Sequence, residues 1–177
     1  MRARRARPED VAAIHCLVAH YAAQGILLPR PRGEIREHIE RFLVLVENGQ
    51  LLGCVALEPY GPDLAEIRSL AVEPAVQGRG LGTRLLQVAL AAARRRKIAR
   101  LFAVTHKPEF FGQQGFVPTT RWALPEKLAR DCRTCPKAPT CVLVAVIATV
   151  CPERVALPVL APTAKPAPAP TGSGQAL

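Results

Sequence analysis

The apolar residues of this chain recur at two spacings, which predict helices in some segments and strands in others. Val11, Ile14 and Val18 recur at helical spacing and predict a helix that starts near Pro8. A second long helix is predicted from about residue 80 to residue 97. Its apolar side is formed by Leu81, Leu85, Val88, Ala89 and Ala92. Shorter helices are predicted over residues 33–42, 108–115 and 125–131.

Strand patterns alternate with these helices. Two apolar runs joined through Asn48-Gly49 predict a hairpin over residues 42–61. Further strands are predicted over residues 2–6, 64–74, 100–106, 116–125 and 141–150. A hairpin in the middle of the chain argues against a uniformly parallel, doubly wound sheet. The order of elements therefore predicts an α/β protein with a mixed sheet and helices on its faces.

The composition suits one folded domain with a basic surface. The chain has 177 residues, 49% of them hydrophobic, and a mean hydropathy of +0.12, so it can bury a sizeable core. We expect a domain over residues 1–155 and a disordered, Pro/Ala-rich tail over residues 156–177. No membrane-spanning run or signal peptide is evident, so a cytoplasmic protein is expected. The net charge of +10 favours an anionic ligand.

The glycine-rich stretch VEPAVQGRGLGTRLL, residues 72–86, lies between a predicted strand and a predicted helix. Gly78, Gly80 and Gly82 let the backbone approach a ligand closely, and the first turn of the helix offers free N–H groups. A pyrophosphate is the natural occupant of such a turn. The last glycine is followed by Thr-Arg rather than by the lysine of a P-loop, and the spacing is not that of a Rossmann turn. A merely structural turn is the alternative.

The wider pattern around this turn resembles a known family. A strand, Val-x-Pro, Gln-x-x-Gly-x-Gly and an amphipathic helix resemble the acetyl-CoA-binding motif of the GNAT superfamily of N-acetyltransferases. The order of elements matches that family from about residue 2 to residue 150, and Gly115-Phe116 match as well. Four pieces resemble the short, single-domain bacterial N-acetylglutamate synthases within it. They are GILLPR at 25–30, AEIRSLAV at 65–72, PEFFGQQGF at 108–116 and DCRTCP at 131–136.

The resemblance implies a GNAT fold, with a mixed, mostly antiparallel sheet that is flanked by helices and splayed at the CoA site. It also implies transfer of an acetyl group from acetyl-CoA to the α-amine of L-glutamate, the first step of arginine biosynthesis. Acetyl-CoA would be held at Leu70, Ala71, Val72, Gln77, Gly78, Arg79, Gly80, Leu81, Gly82, Thr83 and Phe111. A backbone N–H near Leu70 would steady the developing oxyanion. The arginine-binding kinase domain of the long enzyme form is expected to be absent, so regulation by arginine would need another site.

The chemistry needs a base, because an amine that is protonated at neutral pH cannot attack a thioester. The resemblance to AEIRSLAV places the catalytic glutamate at Glu66. From the residues alone, a plain salt pair between Glu66 and Arg68 is the alternative, since residues two apart share a strand face. The acid that protonates the leaving thiolate is open between His106 and water. Many GNAT enzymes carry a tyrosine where this chain has Phe110-Phe111.

Three positions are expected to bind the glutamate substrate by resemblance. Arg30 would hold a carboxylate, since a guanidinium binds carboxylates with two parallel hydrogen bonds. Ser69 would offer its backbone N–H to the α-carboxylate, and Thr105 would place a hydroxyl near the side-chain carboxylate. A solvated loop charge is the alternative for Arg30. The partner of the second carboxylate is open, with Arg133 and Lys137 as candidates.

The six cysteines form two groups. Cys16 and Cys54 lie in apolar runs and are expected to be small core residues. The second group resembles part of a zinc site, yet its spacing is not that of a standard finger, so no bound metal is expected. That group is Cys132, Cys135, Cys141 and Cys151.

The basic run ARRRKIAR, residues 93–100, indicates the solvated end of a helix, where cations complement the helix dipole. No nucleic-acid motif or membrane segment accompanies it, so neither kind of partner is expected. Two rival functions stay open. One is a GNAT enzyme for another amino acid, a small amine or a protein N-terminus, and the other is a non-catalytic module that binds CoA or nucleic acid. A homo-oligomer is compatible with the sequence.

Overall fold

The computed structural model describes residues 1–135 and 138–154. The predicted tail over residues 156–177 and the candidate Lys137 lie outside the described residues. Within them the order of α-helices and strands is the predicted one. The helices are α1 (Val11–Ala23), α2 (Arg32–Glu37), α3 (Leu81–Arg95), α4 (Pro108–Gly112) and α5 (Pro125–Arg130). The strands are β1 (Arg2–Arg5), β2 (Phe42–Glu47), β3 (Gln50–Pro59), β4 (Leu64–Val72), β5 (Arg100–Thr105), β6 (Val117–Thr119) and β7 (Val144–Thr149).

The strands form a seven-stranded sheet in the order β1-β2-β3-β4-β5-β7-β6. The pair β4–β5 is parallel, and the other neighbouring pairs are antiparallel. The central hairpin turns at Asn48 and Gly49, both with positive φ, as the two-residue turn predicts. A mixed, mostly antiparallel sheet is thus confirmed.

The two faces of the sheet carry separate cores, because successive side chains of a strand point to opposite faces. Helix α3 packs on one face, against the cluster that includes Leu43, Val55 and Ile67. Helices α1 and α2 cover the other face, where Phe42 and Val44 lie. The side chains of β4 at even positions 64, 66 and 68 share this second face with α1. The chemistry described below lies there.

Some local predictions differ from the structure. Cys16 is exposed, because it lies two residues after Ile14 and so points away from the buried side of α1. The helix predicted over residues 33–42 ends at Glu37 and continues as a 3-10 turn, Ile39–Arg41. The last strand begins only at Val144, after another 3-10 turn over Ala138–Thr140.

Candidate active site

The sheet opens between β4 and β5. The two strands pair only from Leu64 to Glu66, opposite residues 100–102. Beyond that point β4 runs on to Val72, while β5 stays with β7. The backbone of residues 67–72 therefore has an edge that no strand covers within the described part of the chain. This open seam contains the predicted cofactor positions Leu70, Ala71 and Val72, and the predicted splay of the sheet is confirmed.

A β-bulge lies at the seam, on the β3 side of β4. Two residues of β4, Ser69 and Leu70, stand opposite Val55 of β3. Ser69 has a φ of 50°, a conformation that residues other than glycine rarely adopt. Bulges re-aim backbone groups, and non-glycine residues in this region of φ cluster at ligand sites. The bulge thus marks the position where an N–H near Leu70 is expected to face the oxyanion.

The glycine turn leads from the seam into α3. Gly78 and Gly80 have φ values of 75° and 71°, which glycine adopts without steric cost. Gly80 is the N-cap residue of α3 and offers no capping side chain. The first helical bond runs from the Arg84 N–H to the Gly80 carbonyl, so the N–H groups of residues 81–83 have no helical acceptor. The loop combines backbone donors that have no helical acceptor with the positive end of a helix dipole, as an anion site requires.

The two phenylalanines of α4 have different surroundings. Phe111 is 5% exposed and lies in the core, in edge contact with Phe116. Phe110 is the ring beside the glycine turn, since a Cβ added at Gly82 would lie 3.6 Å from two of its carbons. Phe111 was the predicted cofactor position. The structure places Phe110 nearer to the loop.

Tyr21, which the sequence analysis missed, ties α1 to this loop. Its hydroxyl donates to the Val72 carbonyl at 2.5 Å and accepts from the Gln77 side-chain amide. The end of β4 and the start of the glycine turn are thereby fixed to one tyrosine. The Val72 carbonyl is engaged by this bond rather than offered to a ligand.

Glu66 is 4% exposed and lies at the centre of an ionic network on the α1 face. Its Oε2 accepts hydrogen bonds from Arg68 Nε at 2.5 Å, from Lys127 Nζ at 2.8 Å and from the Tyr60 hydroxyl at 2.8 Å. The salt pair with Arg68 that the alternative required is therefore present. Every hydrogen bond that Glu66 accepts within the described residues ends on Oε2, so Oε1 is the oxygen that faces no donor there.

Asp131 shares the donors of Glu66. Its Oδ2 accepts from Lys127 Nζ at 2.7 Å and also from Arg68 and Tyr60. Burial by itself would raise the pKa of Asp131, but the hydrogen bonds from Lys127 and Tyr60 and the charge of Arg68 outweigh it, and the pKa is lowered. Burial next to Glu66 and Asp131 raises the pKa of Tyr60. Tyr60 is thus a neutral donor between two carboxylates.

Arg30 is buried, which excludes the alternative of a solvated loop charge. Its side chain is 7% exposed, and Nη1 and Nη2 lie 3.5 Å from Glu34 and 3.8 Å from Glu58. Nη1 is a buried nitrogen that has no hydrogen-bond partner among the described residues. A buried, charged donor without a partner is costly, so this nitrogen is suited to a bound carboxylate.

Glu58 links Arg30 to the rest of the network. It is 6% exposed and accepts hydrogen bonds from Arg41 at 2.7 Å and Arg130 at 3.0 Å. Burial alone would raise its pKa, but Arg41 and its neighbouring cations hold that pKa below the ordinary value. Glu58 therefore stays charged and cannot serve as a proton donor at neutral pH.

The network has more cations than carboxylates. Among the described residues, three shielded carboxylates, Glu58, Glu66 and Asp131, face four shielded basic side chains. These are Arg30, Arg41, Arg68 and Lys127. Glu34, Glu40 and Arg130 also touch the network, but their side chains are 40%, 62% and 41% exposed and hence screened by water. The site thus favours an anionic guest.

The remaining predicted substrate residues lie apart from this network. Thr105 ends β5, and its hydroxyl accepts a hydrogen bond from the Lys107 N–H at 3.0 Å. Ser69 is at the bulge, where its carbonyl accepts from Cys54 Sγ at 3.4 Å. Arg133 forms no ion pair within the described residues. Glu66 is instead contacted by Tyr60 and Lys127, and Asp131 shares these two donors. None of the three was predicted to lie in the site.

The cysteines form no disulfides in the structure. Cys54 is fully buried, and burial raises the pKa of its thiol to about 12, so it is an inert core residue. All six cysteines are free. Residues 1–135 and 138–154 contain no group of three or more candidate metal ligands. The absence of a bound metal stays a prediction. No helix in these two ranges is long and apolar enough to cross a membrane.

The model of the acetyltransferase (GNAT) family matches residues 15–116. An uncharacterized N-acetyltransferase of Chlorobaculum tepidum is 37% identical over 147 residues, which cover 83% of this chain and 95% of that protein. An amino-acid acetyltransferase of Neisseria meningitidis is 39% identical over 133 residues, or 74% of this chain. The chain spans only 30% of the length of that relative.

A solved structure extends the likeness to three dimensions. The N-acetylglutamate synthase of Neisseria gonorrhoeae, complexed with coenzyme A and N-acetyl-glutamate, superposes with a TM-score of 0.77 at 34% identity. The match covers 84% of this chain and 35% of that one.

Proposed function

This chain belongs to the GNAT family of acetyltransferases, and we propose that it transfers the acetyl group of acetyl-CoA to the α-amine of L-glutamate. Both the relatives and the site support this activity. Relatives at 34–39% identity are an amino-acid acetyltransferase and an N-acetylglutamate synthase. The site itself has the charge and the acid–base groups that such a reaction needs.

Acetyl-CoA fits the open seam and the glycine turn. The free N–H groups of residues 81–83 suit the pyrophosphate, and the uncovered edge of β4 suits the amide-bearing pantetheine arm, which can pair with it as a strand would. Arg79 and Arg84 are exposed beside the turn and add positive charge. Phe110 closes one side of the loop.

The observation that carries the choice of substrate is the unbalanced positive charge of the ionic network. Four shielded basic side chains face three shielded carboxylates, so the site has an excess of positive charge that favours an anionic guest. Glutamate brings two carboxylates. Arg30 takes one of them, because its buried Nη1 pairs with Glu34 only at 3.5 Å and has no hydrogen-bond partner among the described residues. A polyamine would add cations to a site that already has an excess.

Glu66 takes the proton that the substrate amine must lose. The substrate nitrogen starts as an ammonium, so its first proton must go to the base to give the free amine. As the new N–C bond forms and the C–S bond of the thioester breaks, its second proton also leaves and one proton must reach the CoA sulfur. Glu66 has Oε1 available for the first, while its three donors fix the other oxygen. A backbone N–H at the bulge near Leu70 steadies the oxyanion. The acid that protonates the CoA sulfur is unassigned.

The base is tested by Glu66→Gln, which keeps size and polarity but loses basicity. We expect kcat to fall by about 10²–10⁴-fold, the usual contribution of a positioned base. Acetyl-CoA affinity should be nearly unchanged, because the carboxylate does not touch the glycine turn. Steady-state kinetics and calorimetry measure the two effects. Glu37→Gln, an exposed carboxylate on α2, is the matched control. Normal turnover by folded Glu66→Gln would place the base elsewhere.

Arg30→Ala should act on glutamate rather than on the chemical step. Removing a hydrogen-bond donor to the substrate carboxylate is expected to raise the glutamate KM by about 10–100-fold, which corresponds to one or two charge-assisted hydrogen bonds. Its neighbour Arg32 is exposed, so Arg32→Ala is the control. Equal KM values for the two variants would remove Arg30 from the substrate site.

A further inference from the structure

The hydrogen bonds of Asp131 describe a carboxylate site that the protein fills with its own side chain. Oδ2 accepts from Lys127 Nζ at 2.7 Å, from Arg68 Nη2 and from the Tyr60 hydroxyl, and Oδ1 accepts from Arg130 Nε at 3.3 Å. The four donors come from β4, from α5 and from the turn after β3. We call Arg68, Lys127, Tyr60 and Arg130 the carboxylate cradle.

We propose that the carboxylate cradle is a subsite for one carboxylate of the substrate, and that Asp131 is an internal stand-in which the substrate displaces. The inference rests on the proposed function for the identity of the natural guest. It deepens that function by naming the partner of the second carboxylate, which the sequence analysis left open.

Asp131 is the carboxylate of the network that can leave its place. Glu58 and Glu66 lie within β3 and β4, in the middle of the sheet, and their side chains are 8% and 5% exposed. Asp131 follows the last residue of α5, and its side chain is 26% exposed. Rotation of the Asp131 side chain would withdraw its carboxylate without moving a strand or the backbone of α5, which carries Lys127 and Arg130.

The position of the cradle suits an amino acid. Lys127 Nζ lies 2.8 Å from Glu66 and 2.7 Å from Asp131, so one ammonium group separates the two carboxylates. An α-amino acid carries its amine one carbon away from its carboxylate. A guest carboxylate in the place of Asp131 would therefore bring the amine close to Glu66, the proposed base.

The donors cannot serve both carboxylates fully. The Tyr60 hydroxyl has one proton, yet Glu66 and Asp131 both lie within its reach. The lowered pKa of Asp131 keeps it charged at physiological pH, so it competes with a guest as a full anion. Displacing it exchanges one carboxylate for another, which costs affinity but leaves no cation unpaired.

Asp131→Asn tests the stand-in directly, because the amide keeps the shape and loses the charge. The probe is glutarate, a five-carbon dicarboxylate that lacks the amine, and its binding is measured by isothermal titration calorimetry. We expect Asp131→Asn to bind glutarate about tenfold more tightly than the wild type, the equivalent of one charge-assisted hydrogen bond. Glu126→Gln makes the same change of charge at an exposed position of α5 and should leave the affinity unchanged.

If Asp131 only positions Lys127 and Arg68, Asp131→Asn should bind glutarate more weakly than the wild type, because the two donors would be held less firmly. Unchanged or weaker glutarate binding by folded Asp131→Asn therefore overturns the inference, as does binding by neither protein. If that variant does not fold, a crystal structure of the wild type with glutarate decides. Glutarate in the cradle with Asp131 withdrawn supports the inference, and glutarate elsewhere with Asp131 in place rejects it.

Acetylation of glutamate, measured on the same samples, separates this inference from the proposed function. Tighter glutarate binding by Asp131→Asn without any turnover of glutamate by the wild type would reject the function and keep the cradle. Turnover without the glutarate effect would reject the cradle and keep the function.

Discussion

Asp10 is the residue that joins the first strand to the first helix. It accepts two hydrogen bonds from Arg4, at 2.6 and 2.9 Å, and one from the Arg7 N–H at 2.7 Å. The hydrogen bond from Arg4 is the main reason that the pKa of Asp10 is lowered, and burial opposes it. Since the pKa is lower in the folded chain, the stabilisation is full above the unfolded value of 3.8 and is lost as the pH falls through the folded one.

Asp10→Asn should therefore reduce the free energy of unfolding by about 1.5–3 kcal/mol at neutral pH, where charged hydrogen bonds are lost. The difference from the wild type should shrink as the pH falls below about 4, because the carboxylate of the unfolded wild type is protonated there and that of the folded protein at a still lower pH. Urea unfolding at neutral and acid pH measures both. Glu9→Gln is the control, since its side chain is 64% exposed. An equal loss at both pH values would mean that the charge of Asp10 plays no part.

At the same scale, the sequence could locate some site residues and not others. Glu66 and Arg30 were predicted because they lie in short pieces that resemble a family. Lys127 and Asp131 lie more than 60 residues after Glu66, and no spacing along the chain pairs them with it. The i, i+4 spacing of these two residues, one within α5 and one directly after it, was a signal that the sequence contained. It indicated a surface pair and not a buried contact with β4.

At the scale of the elements, the turn between β4 and α3 leads to the clearest prediction. Gly82 has helical backbone geometry, and a Cβ there would make only an ordinary contact with Phe110. Gly82→Ala should thus stabilise the free protein by about 0.4–1 kcal/mol, because alanine restricts the unfolded chain. The same methyl group should weaken acetyl-CoA binding by about tenfold or more, by blocking the close approach of a phosphate.

Thermal unfolding measures the expected gain in stability of Gly82→Ala, and calorimetry measures the expected loss of affinity for acetyl-CoA. Gly33→Ala in α2 is the matched control, since nothing lies within 4 Å of its added Cβ. It should leave acetyl-CoA affinity unchanged. If Gly82→Ala binds acetyl-CoA as tightly as the wild type, the turn does not hold the pyrophosphate by its backbone.

Periodicity predicted the helices and strands, since each buries one regular face. It could not predict where two strands part. The β4–β5 seam depends on pairing that stops at Glu66, and the bulge at Ser69 has no mark in the sequence. Gly53 shows a similar limit. A Cβ there would lie 2.7 Å from the Ala71 carbonyl and 2.9 Å from Leu85, so glycine is required for α3 to sit against the end of β4.

At the scale of the whole molecule, the fold and the distribution of charge both support the proposed acetyl transfer to an anionic amino acid. The sheet splays where the co-substrate is proposed to lie, and the cationic excess lies on the face of β4 that carries Glu66. The net charge of +10 disfavours polyamines and other cationic amines as substrates. The choice among anionic amino acids depends on the spacing of Arg30 and the carboxylate cradle.

The most direct test of the central claim is the rate of acetyl-CoA consumption by the wild-type protein, measured across the twenty amino acids and a few polyamines. L-glutamate should give the highest kcat/KM, acidic relatives less, and polyamines no turnover above background. A far higher kcat/KM for another amine would contradict the glutamate assignment, and no turnover with any amine would contradict the catalytic account.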